Sequence, residues 1–282
     1  MKKIAIAGAF DTKERENGYL ADRIREFGGE VYLVDMGVLK DPHIVPDVTA
    51  AQAAAAGGAS LSELRSEKSR EHSLAVMARG AAKLVREAYD RQIIGGIIAM
   101  GGGQGTYMAA RIMRALPVGV PKVLVSTIAT SAYDQQQFEG INDTMVINPL
   151  VDVSGNNSIL RMIMTRGAAA VTGMCRYQTT ERAANRTKIG ITMWGVTTPC
   201  VTAVQEILEN SGYEALVFHA TGLGGRAMED LVRQGELAGV VDITLAELGN
   251  QITGGTFARC DYRCEMAGRM GIPQVIVPGG LD

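Results

Sequence analysis

Histidine is scarce in this 282-residue chain: His43, His72 and His219 are the only three, which excludes a histidine-rich metal site. The four cysteines, Cys175, Cys200, Cys260 and Cys264, make neither a disulfide ladder nor a paired C-x-x-C zinc knuckle. No apolar run approaches the roughly 20 residues a membrane helix needs. The N-terminus "MKKIAIAGAF" turns polar too soon for a signal peptide, so the expected location is cytoplasmic. A net charge of -2 provides no basic field for nucleic acid or an anionic membrane. Aromatic residues, at 5%, give no clear interface patch.

What remains is an ordinary globular composition, 46% hydrophobic and 21% charged, with 34 glycines concentrated at the ends of apolar runs. The length exceeds one typical domain of about 100–200 residues, so two domains are expected. "KKIAIAGAF", "EVYLVDMG", "IIGGIIAM", "PKVLVST" and "TMVINPL" have the length and β-branched content of buried strands. Helical spacing follows the first of them (Tyr19, Leu20, Ile24, Phe27) and returns from Ser69 (Leu74, Met77, Ala81, Leu84). A βαβ unit at the start implies a parallel sheet with right-handed crossovers. Residues 38–68, rich in alanine and glycine with two of the eight prolines, interrupt the rhythm as a long loop.

Periodicity lapses in the polar stretch 176–187, which divides the chain into domains at 1–178 and 187–282. Beyond it strands are expected at "KIGITMWG", "YEALVFHA", "LAGVVDIT" and "IPQVIVPGG". Helices are expected at 199–212, 221–235 and 261–271, the last placing Cys260 and Cys264 on one face. The second half echoes the first, "IGITMWGVTTPC" answering "IAIAGAFDTKE". The expected fold is therefore α/β: two Rossmann-like, doubly wound parallel-sheet subdomains with a ligand crevice between them, at the strands' carboxyl ends. The last strand is followed by only two residues past its glycines, as if the second subdomain were incomplete.

The chemistry is expected on that edge. In "MGGGQGT", Gly101, Gly102, Gly103, Gly105 and Thr106 would let amide groups converge on one anion at a helix start. The dinucleotide fingerprint fails at Thr106, and the P-loop fails for want of its lysine. Asp11 or Thr12 could cap the first helix, and Lys13 in its first turn is favourable only beside an anion. Asp35 ends the second strand like a ribose-binding acid, although an acid there is common. Ser126, Thr127 and Thr130 could donate to phosphate oxygens or simply meet solvent. Asp143 and Asp152 could hold magnesium or cap helices. In the second half, Thr198 and Cys200 start a helix, while His219, Arg226 and Glu247 are candidate acid/base and clamp residues. A small anionic acyl or carboxylate metabolite would suit the same groups as a substrate.

The strings "DTK", "MGGGQGT", "MRALPVGVPKVLVST", "VDVSGNN", "GVTTPCV", "VFHATGLGGRAME" and "GIPQVIVPGGLD", in that order from residue 3 to residue 282, resemble the ATP-binding domain family of the tomato mosaic virus resistance protein, most of it uncharacterised bacterial protein. The resemblance implies ATP and Mg2+ as cofactors, with the nucleotide around Gly101–Thr106 and Asp11–Lys13. It implies a homodimer and no particular reaction. A second small anionic molecule, or a protein partner gated by the nucleotide, are the further ligands it leaves open. Members of that family continue well past Asp282.

Overall fold

The computed structural model describes residues 1–67, 69–128, 143–177, 186–257 and 260–281. Thr130, the stretch 129–142 and most of the polar boundary segment lie outside them. The chain divides into two compact units, Met1–Gln178 and Thr179–Asp282. Each is built on one wholly parallel sheet with helices on both faces.

The first unit runs β1 (Lys3–Gly8), α1 (Phe10–Glu26), β2 (Val31–Asp35), α2 (Ala50–Ala56), α3 (Leu61–Ser66), α4 (Arg70–Asp90), β3 (Ile94–Gly101), α5 (Gly103–Arg114), β4 (Lys122–Ser126), β5 (Met145–Ile147) and α6 (Ser158–Arg176). Its strand order is β2-β1-β3-β4-β5. Alternation along β1 shows how the two cores form. Ala5 and Ala7 face the layer of α2, α4 and α5, while Ile4 and Ile6 face α1 and α6. Every residue of the central strand β3 is buried, which explains its unbroken apolar run.

Residues 38–68 are not a bare loop. Two short helices form there, each started by a capping box: Thr49 with Gln52, and Ser60 with Glu63. The alanines of α2 let it lie directly on α4, where a side chain on Gly80 would strike the carbonyl of Ala53.

The second unit contains β6 (Lys188–Met193), α7 (Thr198–Asn210), β7 (Glu214–His219), α8 (Leu223–Arg233), β8 (Gly239–Thr244), α9 (Ala246–Thr253), α10 (Met266–Met270) and β9 (Gln274–Gly279), in the order β7-β6-β8-β9. The helix expected over 261–271 shrinks to α10. Residues 261–265 form a turn, with Cys264 in the left-handed region at φ 64°. Cys260 and Cys264 therefore share no helix face. In both sheets the winding direction reverses beside the first strand, between β1 and β3 and between β6 and β8. Ligands of such sheets sit outside the carboxyl ends at that point.

Candidate functional site

A cavity of about 630 Å³ opens at the β1/β3 reversal, lined entirely by residues of the first unit. Its wall carries Gly8 and Ala9 at the end of β1, Met36 to Leu39 after β2, and Met100 to Gly105 across the exit of β3. The glycines there have different duties. A Cβ on Gly101 would lie 2.7 Å from the Cα of Gly105, so these two allow strand end and helix start to touch. Gly103 has nothing within 4 Å, and Gly102 meets only Thr127 Oγ1, at 3.6 Å. Neither has a positive φ. Neither the fold's packing nor its backbone angles require glycine at 102 or 103; close approach by something in the cavity would.

The glycines also prove to be less of a loop than their sequence suggests. Only Gly102 separates β3 from α5, and Gly103–Gly105 already form the first helical turn. Gly102 provides no side-chain cap, and the first intrahelical donor is Thr106, whose amide bonds Gly102 O at 2.8 Å. The amides of Gly103, Gln104 and Gly105 precede it and have no intrahelical acceptor. All three residues line the cavity.

Around this helix end the sequence-predicted residues divide. Thr12, Lys13 and Asp152 line the cavity, and Lys13 and Asp152 have no hydrogen-bond or ion-pair partner among the described side chains. Lys13 sits where α1 departs from helical angles (φ -124°, ψ 28°), which turns the Asp11–Lys13 segment across the cavity wall. Neither Asp11 nor Thr12 caps α1, whose N-cap is Ala9. Instead Asp11 Oδ2 accepts from Leu39 N at 2.8 Å and pins the segment following β2.

Other candidates are used elsewhere. Thr106 and Ser126 are fully buried, their hydroxyls 2.7 Å apart, tying α5 to β4 away from the cavity lining. The backbone amide of Thr127 donates to Gly101 O at 3.2 Å, and Thr127 lies beside Gly102 without lining the cavity. Asp143 does not join Asp152. It pairs with the buried Lys122 at 2.8 Å, at the amino end of β4 and so on the opposite edge of the sheet. Asp35 is buried, and its Oδ1 accepts from Phe10 N at 3.1 Å and Gly37 N at 2.8 Å, locking β2 to the start of α1. Burial, reinforced by the charges of Asp11 and Asp41, raises its pKa to about 6 against those amide bonds.

In the second unit, Thr198 begins α7 and is exposed, as are Cys200 and His219 at the end of β7. Arg226 donates from Nε to Tyr262 Oη at 3.3 Å. Glu247, on the first turn of α9, is buried with both oxygens committed. Oε1 accepts from Gly222 N at 2.6 Å and Gly225 N at 3.0 Å, and Oε2 from Arg263 Nε at 2.6 Å. It fastens the turn before α8 to Arg263.

Arg263 is the centre that the sequence did not disclose. Its side chain is 1% exposed and also binds Glu229, at 3.1 Å, and Asp242. Burial opposes its charge, but the hydrogen bond and charge of Asp242, with the charge of Glu247, hold its pKa above the ordinary value. Burial pushes Glu229 up and the Cys264 thiol up to about 12. Glu229, Asp242 and Cys264 bring ligand-type atoms within 4.8 Å of one another. Arg263 Nη1 lies 3.1, 3.0 and 3.2 Å from Glu229 Oε1, Asp242 Oδ2 and Cys264 Sγ, so the guanidinium occupies the place a metal ion would take. A lone arginine in "DYRCE" carries no pattern that distinguishes it from a surface residue.

Comparison with known proteins gives related sequences, some matched along the whole of this chain. A Clostridium tetani UPF0261 protein is 42% identical over 281 residues, 100% of this chain and 69% of its own length. The tomato (Solanum lycopersicum) ToMV resistance protein Tm-1(GCR237) is 39% identical over 214 residues, 74% of this chain and 28% of its own. Among solved structures, UDP-GlcNAc 2-epimerase from Neisseria meningitidis bound to UDP-GlcNAc aligns over 88% of this chain and 81% of that one, at 9% identity and a TM-score of 0.31, too distant to bear on function. Residues 2–180 match the N-terminal domain and residues 186–282 the C-terminal domain of one uncharacterised protein family, and this chain belongs to it: the UPF0261 family.

Proposed function

We propose that the first unit binds a nucleotide, ATP, with its phosphates on the free amides of Gly103, Gln104 and Gly105 and with Lys13 beside them. The observation that carries this is the uncapped start of α5, opening into the cavity through two glycines, Gly102 and Gly103, that packing does not require. A helix N-terminus offers both donors and positive potential to a phosphate. Lys13 adds the charge that a P-loop lysine would supply from another position. The family resemblance carried by the sequence motifs supplies adenosine triphosphate as the nucleotide.

Magnesium fits the same wall. Mg2+ is held mostly by phosphate oxygens and water with one or two carboxylates, and the exposed Asp152 is available for that role. The proposal concerns binding, and its direct test is hydrogen exchange of the purified chain with and without Mg-ATP. Slowed exchange confined to peptides covering 101–106 and 9–14 supports it. Unchanged exchange at 103–105 with saturating ATP sinks it.

A further inference from the structure

We infer that this cavity is built for a chain of three phosphates and that Arg70 distinguishes it from a chain of two; the inference rests on the phosphate placement above. Arg70 opens α4 and lines the cavity. In a parallel sheet the crossover from β2 to β3 starts at the carboxyl edge, so the first turns of α4 and α5 stand at the same edge. These two helices pack against each other on one face of the sheet, whereas α1, which carries Lys13, packs on the other. Neighbouring packed helices run about 8–10 Å apart, which brings an arginine side chain on α4 within reach of a phosphate chain lying across the start of α5.

The charged side chains on the α3 and α4 side of the wall have different duties. Arg65 donates from Nε to Val38 O at 3.0 Å and from Nη2 to Asp41 Oδ1 at 2.6 Å, which fastens it to the segment after β2. Glu67 lies 3.8 Å from His72 Nε2. Arg70, three residues beyond Glu67, makes no ion pair with it and has no hydrogen-bond or ion-pair partner among the described residues. The start of α4 already has its cap, Ser69 Oγ, which accepts from His72 N at 3.3 Å. What Arg70 adds to the cavity is therefore a free guanidinium. A cation at the start of a helix opposes the helix dipole, and Lys13 and Arg70 both stand there, on helices that open into this cavity. An anion reaching from the α5 amides toward both of them offsets both, and a guanidinium suits phosphate oxygens. The amides, Lys13 and Arg70 thus present three positive points from three helices, and the third phosphate is the one that brings Arg70 into contact.

The test is isothermal titration of the full chain and of Arg70→Gln with ATP, ADP, inorganic tripolyphosphate and pyrophosphate, each with magnesium. Arg70 is exposed, so the variant should melt as wild type does. Wild type should bind ATP and tripolyphosphate about 10-fold or more tightly than ADP and pyrophosphate, the contribution of one charge-assisted hydrogen bond. Arg70→Gln should weaken both triphosphates by that factor and leave both diphosphates within about 3-fold of wild type. Wild type binding both lengths alike, or Arg70→Gln keeping the preference or weakening both lengths equally, overturns this inference and leaves the phosphate site standing. Failure of all four probes to bind the wild-type chain overturns the phosphate placement itself.

Discussion

Gly101 and Gly105 meet where β3 passes into α5, so closely that a Cβ on the first would lie 2.7 Å from the Cα of the second. Two residues further on, Gly103 has no heavy atom within 4 Å of where its Cβ would stand. One short string thus contains glycines required by packing and glycines left open at a cavity.

That difference is measurable. Gly101→Ala should destabilise the chain by roughly 1–3 kcal/mol, the cost of overpacking. Gly103→Ala should leave stability within about 1 kcal/mol of wild type, because alanine suits a helix and meets nothing. Urea denaturation of the two variants distinguishes them; equal losses would show that the string acts as one structural turn.

Arg263 binds all three buried carboxylates of Glu229, Asp242 and Glu247. Removing one partner of a buried pair costs about 3–5 kcal/mol, because the remaining charge stays buried. Arg263→Met is therefore expected to lower the stability of the second unit by that amount. Arg269→Ala, which breaks an exposed pair with Glu265, should change it by no more than about 1 kcal/mol. Chemical unfolding followed by Trp194 fluorescence reports on the second unit directly; a mild effect of Arg263→Met would mean the carboxylates are protonated.

Asp35 gives a pH signature of defined sign. Its folded pKa of about 6 lies above the usual 3.8, so the folded chain holds this proton more tightly than the unfolded one. Its contribution is complete below about pH 4 and is lost as pH rises through 6, by roughly 2–3 kcal/mol. Asp35→Asn keeps an acceptor for Phe10 N and Gly37 N without titrating. The stability of wild type relative to Asp35→Asn should therefore fall between pH 4 and 6 in paired urea titrations. A difference independent of pH would contradict the assignment.

Strands and their parallel arrangement were legible because a strand buried on both faces leaves a continuous apolar run, as "IIGGIIAM" does. The helices inside 38–68 were missed, because the alanine and glycine content of that segment reads as loop although Thr49/Gln52 and Ser60/Glu63 form capping boxes there. The site was visible only in part. Gly102, Gly103 and Lys13 stood out by residue type and place, but Thr106 and Ser126 share that place and spend their hydroxyls on each other. Asp143 illustrates the limit. Its partner Lys122 is 21 residues away, and no local pattern shows that a lysine at a strand start will be buried and require a carboxylate. Arg263 was hidden for the same reason, since its three acids arrive from α8, β8 and α9.

If phosphates sit on the start of α5, isothermal titration of wild type and Gly102→Val with Mg-ATP will distinguish the two proteins. A Cβ at 102 meets only Thr127 Oγ1, at 3.6 Å, and the local angles of φ -78° and ψ -158° are extended and suit a β-branched residue, so the fold should persist. Wild type should bind saturably, and binding should be lost, or weakened at least about 100-fold, in a variant whose thermal melt is unchanged. Equal binding by both proteins, or none by wild type, would contradict that placement.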